Sequence, residues 1–185
     1  MSNSYLRGVK IIGGKWRGRS LKVLQKKGLR PSSSRARETL FNWLSPYIID
    51  ATCLDVFSGS GALAFESLSR GAGWVTMVDH DPDVVYELLR KSQEMGQNTS
   101  EVIESDALKW LSVAQNRKYD IVYLDPPFDK GLLKPILNAL SEGWLSDDAL
   151  VYVEQKRGIL DLGSNWEIKK MANTNKVKFA LLMNR

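Results

Sequence analysis

The residues Asp125-Pro126-Pro127-Phe128, which follow the apolar run 121–124, carry the most specific chemistry in the chain. Two successive prolines fix the backbone and remove two N–H donors, so the Asp125 carboxylate and the Pro126 carbonyl can both present acceptors to one cleft. Two acceptors facing one point suit an amino group. An amine conjugated to a nucleobase is a poor nucleophile because its lone pair is delocalised into the ring. Accepting both its hydrogens favours a tetrahedral nitrogen whose lone pair faces a sulfonium methyl, so the catalytic gain is orientation and electrostatics, not a strong base. Phe128 would then stack on the extruded base. These four residues are the candidate catalytic set. The plainer reading is a Pro-Pro turn beside a core phenylalanine, and the strand position and a nearby glycine loop weigh against it.

That loop is Asp55-Val56-Phe57-Ser58-Gly59-Ser60-Gly61, placed between a strand candidate and a helix candidate, where glycines let backbone approach a ligand. Ala64 stands where a dinucleotide fingerprint wants a third glycine, which the looser form of the fingerprint allows. The loop alone does not separate cofactors. Asp79 lies about 20 residues past the loop, where a carboxylate accepts from ribose hydroxyls, and this fits NAD and S-adenosylmethionine equally. Asp81 reads as the cap of the next helix. Asp106 either accepts from an adenine amino group, caps the helix after it, or does both. With their neighbours, the candidate cofactor-site residues are Asp55, Phe57, Ser58, Gly59, Ser60, Gly61, Asp79, Asp106 and Ala107.

The elements that must position these residues are legible from periodicity. Strands are expected over 52–57, 74–78, 102–104, 121–124, 150–154, 166–171 and 176–183, and helices over 62–69, 82–95, 107–114 and 132–140. Alternating strands and helices followed by a strand-rich tail imply an α/β chain with a mostly parallel sheet, helices on both faces and an antiparallel edge. Ligands bind at the carboxyl ends of strands in such sheets, where Asp55, Asp79, Asp106 and Asp125 fall.

The first 50 residues differ from the rest. They hold 11 of the 26 Lys and Arg but only Glu38 and Asp50 of the 21 acidic residues, a net charge of +9 against −4 for the remainder. Runs 9–12 and 21–24 around a glycine- and arginine-rich middle read as a hairpin with a basic tip. Pro31-Ser32-Ser33-Ser34 then breaks and caps a helix bearing Ala36, Leu40, Trp43 and Leu44. The division expected is a basic extension, 1–50, and a catalytic domain, 51–185. Lys15, Trp16, Arg17, Arg19, Arg30, Arg35 and Arg37 are the candidates for meeting a polyanion such as RNA, since cations meet phosphates and Trp16 offers a stacking face; the plainer reading is a solvated charged surface. One cysteine, Cys53, and one histidine, His80, leave no metal cluster to expect and no internal disulfide. With no signal peptide or apolar membrane span to read, a cytoplasmic monomer without membrane or metal partners is expected. Glu38 and Glu66 are expected in ion pairs, Trp43, Trp110 and Trp144 as core or rim aromatics, and His80 packed near the ribose.

The sequence resembles the S-adenosylmethionine amino-methyltransferases, and more closely the bacterial 16S rRNA guanine-N2-methyltransferase family. The residues carrying this are Ile11–Arg19, Leu29-Arg30-Pro31, Arg35–Leu44, Asp55–Leu63, Ser69–Ala72 and Asp125–Phe128. The resemblance spans most of the chain and is weakest after Val153. It implies a Rossmann-like class I methyltransferase fold with a seven-stranded sheet, S-adenosylmethionine as methyl donor and S-adenosylhomocysteine as product. It implies transfer to the N2 amine of one guanine, guanine 966, in 16S rRNA or the assembling small subunit. It further implies that Gly59, Gly61, Asp79 and Asp106 line the cofactor site, that Asp55 orients near its methionine end, and that residues 125–128 hold the base. The departures are Ser34 for a usual Asp, Asp79 for Glu and Ser58 for Ala. Two other readings stand: an adenine-N6 or cytosine-N4 methyltransferase of the same Asp-Pro-Pro-aromatic type, and a non-catalytic RNA-binding assembly factor. Only about 50 residues lie outside the expected catalytic domain, little room for reading duplex DNA.

Overall fold

The computed structural model describes residues 5–25, 34–96, 98–113, 117–128, 130–158, 160 and 162–185. The expected breaker at 29–33, with the RNA-binding candidate Arg30, lies outside them. Alternating apolar and polar residues make β1 (Tyr5–Lys10) and β2 (Ser20–Leu24) an antiparallel hairpin, with Leu21 and Val23 buried and Lys22 exposed. Its tip tightens into a single 3-10 turn, Gly14–Trp16. The helix α1 (Ser34–Leu44) turns Ala36, Leu40, Phe41 and Leu44 inward at helical spacing.

The second sheet holds β3 (Thr52–Asp55), β4 (Trp74–Asp79), β5 (Ser100–Glu104), β6 (Tyr119–Leu124), β7 (Leu145–Lys156), β8 (Trp166–Asn173) and β9 (Val177–Asn184). Its order is β5-β4-β3-β6-β7-β9-β8. The first five in that order are parallel, and β9 runs antiparallel to both β7 and β8. This is the seven-stranded class I methyltransferase arrangement with an antiparallel edge and an amino-terminal hairpin and helix. The helices α2 (Ala62–Ser69), α3 (Pro82–Glu94), α4 (Ala107–Leu111) and α5 (Leu133–Leu140) connect the parallel strands. β3 pairs with β4 on one side and β6 on the other, so their carboxyl ends flank the switch point where open sheets bind ligands.

Element boundaries differ from the expected ones by a few residues. β3 stops at Asp55, where the chain turns into the glycine loop, and β7 begins at Leu145, five residues before the expected start. Pairing of β7 with β6 continues back to Tyr119 and Leu145 through an irregularity, and local apolar periodicity does not reveal such long-range pairing. α4 ends at Leu111, and residues 114–116 are not among those described.

Strand alternation divides the interior into two cores. Cys53, Met77, Tyr123 and Tyr152 face α2, α3, α1 and the hairpin, while Leu54, Val78, Val122 and Val153 face α4 and α5. Trp110 and Trp144 are buried together with ring centroids 4.6 Å apart, and half-buried Trp43 packs on Phe179 at 5.5 Å.

α2 is buried on every side because the hairpin tip and α1 cover its outer face. Glu66, fully buried, would cost several kcal/mol if unpaired. Its Oε2 accepts from the Ile12 N–H at 2.7 Å, and its Oε1 accepts from the Gly13 N–H at 2.8 Å and Arg70 Nε at 2.7 Å. Arg37 Nη1 lies 3.7 Å from Oε2. Ser69 Oγ accepts from the Trp16 N–H at 2.9 Å and donates to the Gly13 carbonyl at 2.5 Å. Gly14, at φ +72°, sits so close to Ser69 that a Cβ there would overlap the serine carbonyl. The ion pair expected of Glu66 is thus present. Glu38 is exposed and makes no ion pair among the described residues, since its neighbour Arg37 on α1 is turned inward toward Glu66.

Candidate active site

The carboxyl end of β3 places Asp55, 2% exposed, directly before the glycine loop. Burial, reinforced by the Asp79 charge, pushes its carboxyl up to about 7, against the downward pull of the Phe57 and Ala64 backbone N–H groups. The glycine loop then folds on itself: Ser58 Oγ donates to the Asp55 carbonyl at 2.9 Å, the Ser58 N–H to the Val78 carbonyl at 3.0 Å, and the Gly61 N–H to the Ser58 carbonyl at 2.7 Å. Gly61 is the left-handed N-cap of α2, and a Cβ there would strike the Phe65 ring and Leu88. Helix packing and the left-handed conformation thus each require glycine there. Lys91, 4% exposed, donates from Nζ to the Ser60 carbonyl at 3.0 Å, and burial lowers its amine to about 8.

Asp79 ends β4 and ties two turns together. Its Oδ2 accepts from the Gly59 N–H at 2.9 Å and its Oδ1 from the Asp81 N–H at 3.0 Å. A carboxylate has about four lone-pair sites, so capacity remains for ribose hydroxyls. His80, mostly exposed, lies with Nδ1 3.4 Å from Asp79 Oδ1. Asp81 caps α3, accepting from the Asp83 and Val84 N–H groups. Asp106 is the N-cap of α4, its Oδ1 accepting from the Lys109 N–H at 3.0 Å, and its second oxygen has capacity to accept from a ligand.

Val56, Phe57, Asp79, His80, Ser105, Asp106, Ala107 and Pro127 line one cleft. Its apolar walls suit a flat heterocycle and its carboxylates suit a diol and an amino group, so the residues fit an adenosyl group. Pro127 brings the corner at the end of β6 into that same cleft. Asp125 is half-buried, Pro126 buried, Pro127 exposed and Phe128 half-buried against the core that includes α1. The proline corner and the basic extension therefore share a face of the sheet.

Sequence reasoning passed over Tyr152 and Glu154 on β7. Leu124, the last residue of β6, pairs with Val153, and Asp125 and Glu154 follow that pair on their strands' continuations. Glu154 is 4% exposed and its Oε2 accepts from the Tyr152 hydroxyl at 2.6 Å. Burial raises the Glu154 carboxyl, opposed by that hydrogen bond. The Tyr152 phenol is held well above its usual range by burial and by the charges of Glu154 and Asp125. The signal was present: the run 150–154 ends in a glutamate at a strand's carboxyl end, the criterion that singled out Asp79 and Asp106.

Lys15, Arg17, Arg19 and Arg35 are exposed and make no ion pair among the described residues. Lys15 Nζ sits 4.5 Å from the Trp16 ring centroid, and Trp16, half-buried, packs on the core. Arg37 is placed differently from the surface cation expected of it. It is 3% exposed and donates from Nη1 to the Lys10 carbonyl at 3.1 Å while facing Glu66, so its charge fastens the hairpin to α2.

A family profile described as conserved hypothetical protein 95 matches residues 9–183. The chain is 42% identical over 176 residues to ribosomal RNA small subunit methyltransferase D of Escherichia coli strain K12, covering 94% of this chain and 88% of that protein. It is 44% identical over 181 residues to the protein of the same name from Haemophilus influenzae, covering 95% and 94%. The solved structure of yhhF from Escherichia coli superposes with a TM-score of 0.87 at 40% identity, covering 96% of this chain and 98% of that one.

Proposed function

We propose, from the premise that the chain belongs to the conserved hypothetical protein 95 family with the ribosomal RNA small subunit methyltransferases D, that it methylates the N2 amine of a guanine in 16S rRNA. The finer assignment is guanine 966. The chain is an S-adenosylmethionine-dependent methyltransferase of class I fold. S-adenosylmethionine supplies an electrophilic methyl group on a sulfonium sulfur. Val56, Phe57 and Ala107 enclose the adenine, Asp106 accepts from its amino group and Asp79 from the ribose. Asp55, directly before the glycine loop, faces the cationic methionine end. Asp125 and the Pro126 carbonyl accept the two N2 hydrogens and aim the nitrogen lone pair at the methyl, while Phe128 stacks on the base. Asp125 would take up the N2 proton released when the amine is methylated, along the hydrogen bond it already makes. Lys15, Arg17, Arg19 and Arg35 meet the RNA phosphates.

The observation that supports this reading best is that Pro127 lines the same cleft as Asp79 and Asp106, which sets an amine-holding corner against an adenosyl site. Mass spectrometry of rRNA nucleosides from cells with and without the gene tests it. The expected result is selective loss of N2-methylguanosine. Unchanged N2-methylguanosine with loss of N6-methyladenosine or N4-methylcytosine would overturn it in favour of another base.

A further inference from the structure

We propose that Glu154 reads the N1–H of the target guanine, beside the N2 amine held by Asp125, and so selects guanine over the other amino-bearing bases. This rests on the guanine-N2 reading above. Leu124, the last residue of β6, pairs with Val153 of the adjacent parallel strand β7, and Asp125 and Glu154 are the residues that follow that pair. Tyr123 and Tyr152 lie on one face, alternation within β7 returns Glu154 to it, and Asp125 follows Tyr123 by two residues. Tyr152 fixes one carboxylate oxygen of Glu154 at 2.6 Å. Among the described residues, Oε1 takes no hydrogen bond. Oε1 is not among the buried unpartnered atoms, so it reaches solvent and can meet an arriving donor while Oε2 stays fixed on Tyr152.

The chemistry of the bases decides which donor fits. On guanine the ring position beside the N2 amine carries N1–H, so two neighbouring acceptors on the protein meet two neighbouring donors on the base. On adenine the position beside the N6 amine is N1, and on cytosine the one beside the N4 amine is N3, both bare acceptors. A carboxylate oxygen facing either sets lone pair against lone pair. Accepting N1–H also moves electron density toward the amine, in the direction that methyl transfer needs.

The test replaces the target guanine of an RNA substrate by 2-aminopurine, which keeps the 2-amino group but has a bare N1. The ratio of kcat/KM for guanine to that for 2-aminopurine is measured in the wild type and in Glu154→Gln. The wild type is expected to favour guanine by about 10⁴-fold, in line with sites built around a specific hydrogen bond. Glu154→Gln can donate to a bare N1, so the ratio is expected to fall at least tenfold, chiefly by a gain on 2-aminopurine. A purely structural role would lower both substrates together and leave the ratio unchanged, which overturns the proposal. Should the variant not fold, the wild type alone decides against it if it methylates 2-aminopurine as well as guanine. A wild type that methylates adenine and neither of these bases would instead overturn the guanine-N2 reading itself.

Discussion

In the half of the cleft built from β3, β4 and β5, the carboxylates are tied to backbone N–H groups: Asp79 to Gly59 and Asp81, Asp106 to Lys109. In the half built from β6 and β7, a proline corner carries Asp125, and Glu154 is held by the phenol of Tyr152. The first half is assembled by turns and caps that exist for folding reasons anyway, so it is rigid before any ligand arrives. The second rests on a proline corner and a neighbouring strand instead. On the proposed function, generic and selective recognition are thus divided between the two halves of one sheet.

Substitutions can separate the halves. Asp125→Ala removes an acceptor used as the amine becomes tetrahedral, and methyl transfer is expected to fall by about 10²–10³-fold or more while cofactor affinity stays within a few-fold. Single-turnover methylation paired with calorimetry reads both, and near-normal turnover would remove the two-acceptor mechanism. A smaller effect is expected from Asp55. A ligand cation favours its carboxylate, so the Asp55 pKa in the complex lies below its value of about 7 in the free protein. Cofactor affinity should therefore climb as pH rises toward about 7 and level off above it, and Asp55→Asn should flatten that climb. Calorimetry on either side of neutral pH checks the slope, and an identical profile in the variant would place the titration elsewhere. The smallest effect on chemistry is expected from the surface cations. Arg17, Arg19 and Arg35 changed to Gln should lower the slope of log affinity against log salt by about 0.7 for each phosphate left without its cation. Arg37→Gln should lower the melting temperature and leave that slope unchanged, since its charge is engaged by Glu66 and the Lys10 carbonyl. Fluorescence titrations at several salt concentrations distinguish them.

The same division explains what could be read from residues alone. Asp79, Asp81, Asp106 and the glycine loop act through partners that recur at short or fixed spacing, so pattern exposes them. The proline corner shows itself through the two N–H groups it lacks. Glu154 depends on which strand lies beside β6, and Arg37 on which helix lies under the hairpin. Residue type cannot supply either neighbour: Arg37 is one of 26 cations in the sequence and nothing near it marks it as internal. Gly61 carries a requirement that one dimension does not display, a left-handed cap pressed against Phe65 and Leu88.

α2 starts at the glycine loop and finishes where Glu66 and Ser69 grip the hairpin tip. Eight helical residues span about 12 Å, and a helix barely changes length under load. On the proposed function, the distance between where a phosphate strand rests and where a methyl group is delivered is gauged by about two turns of helix, and a nucleotide swung out by a matching reach would meet both.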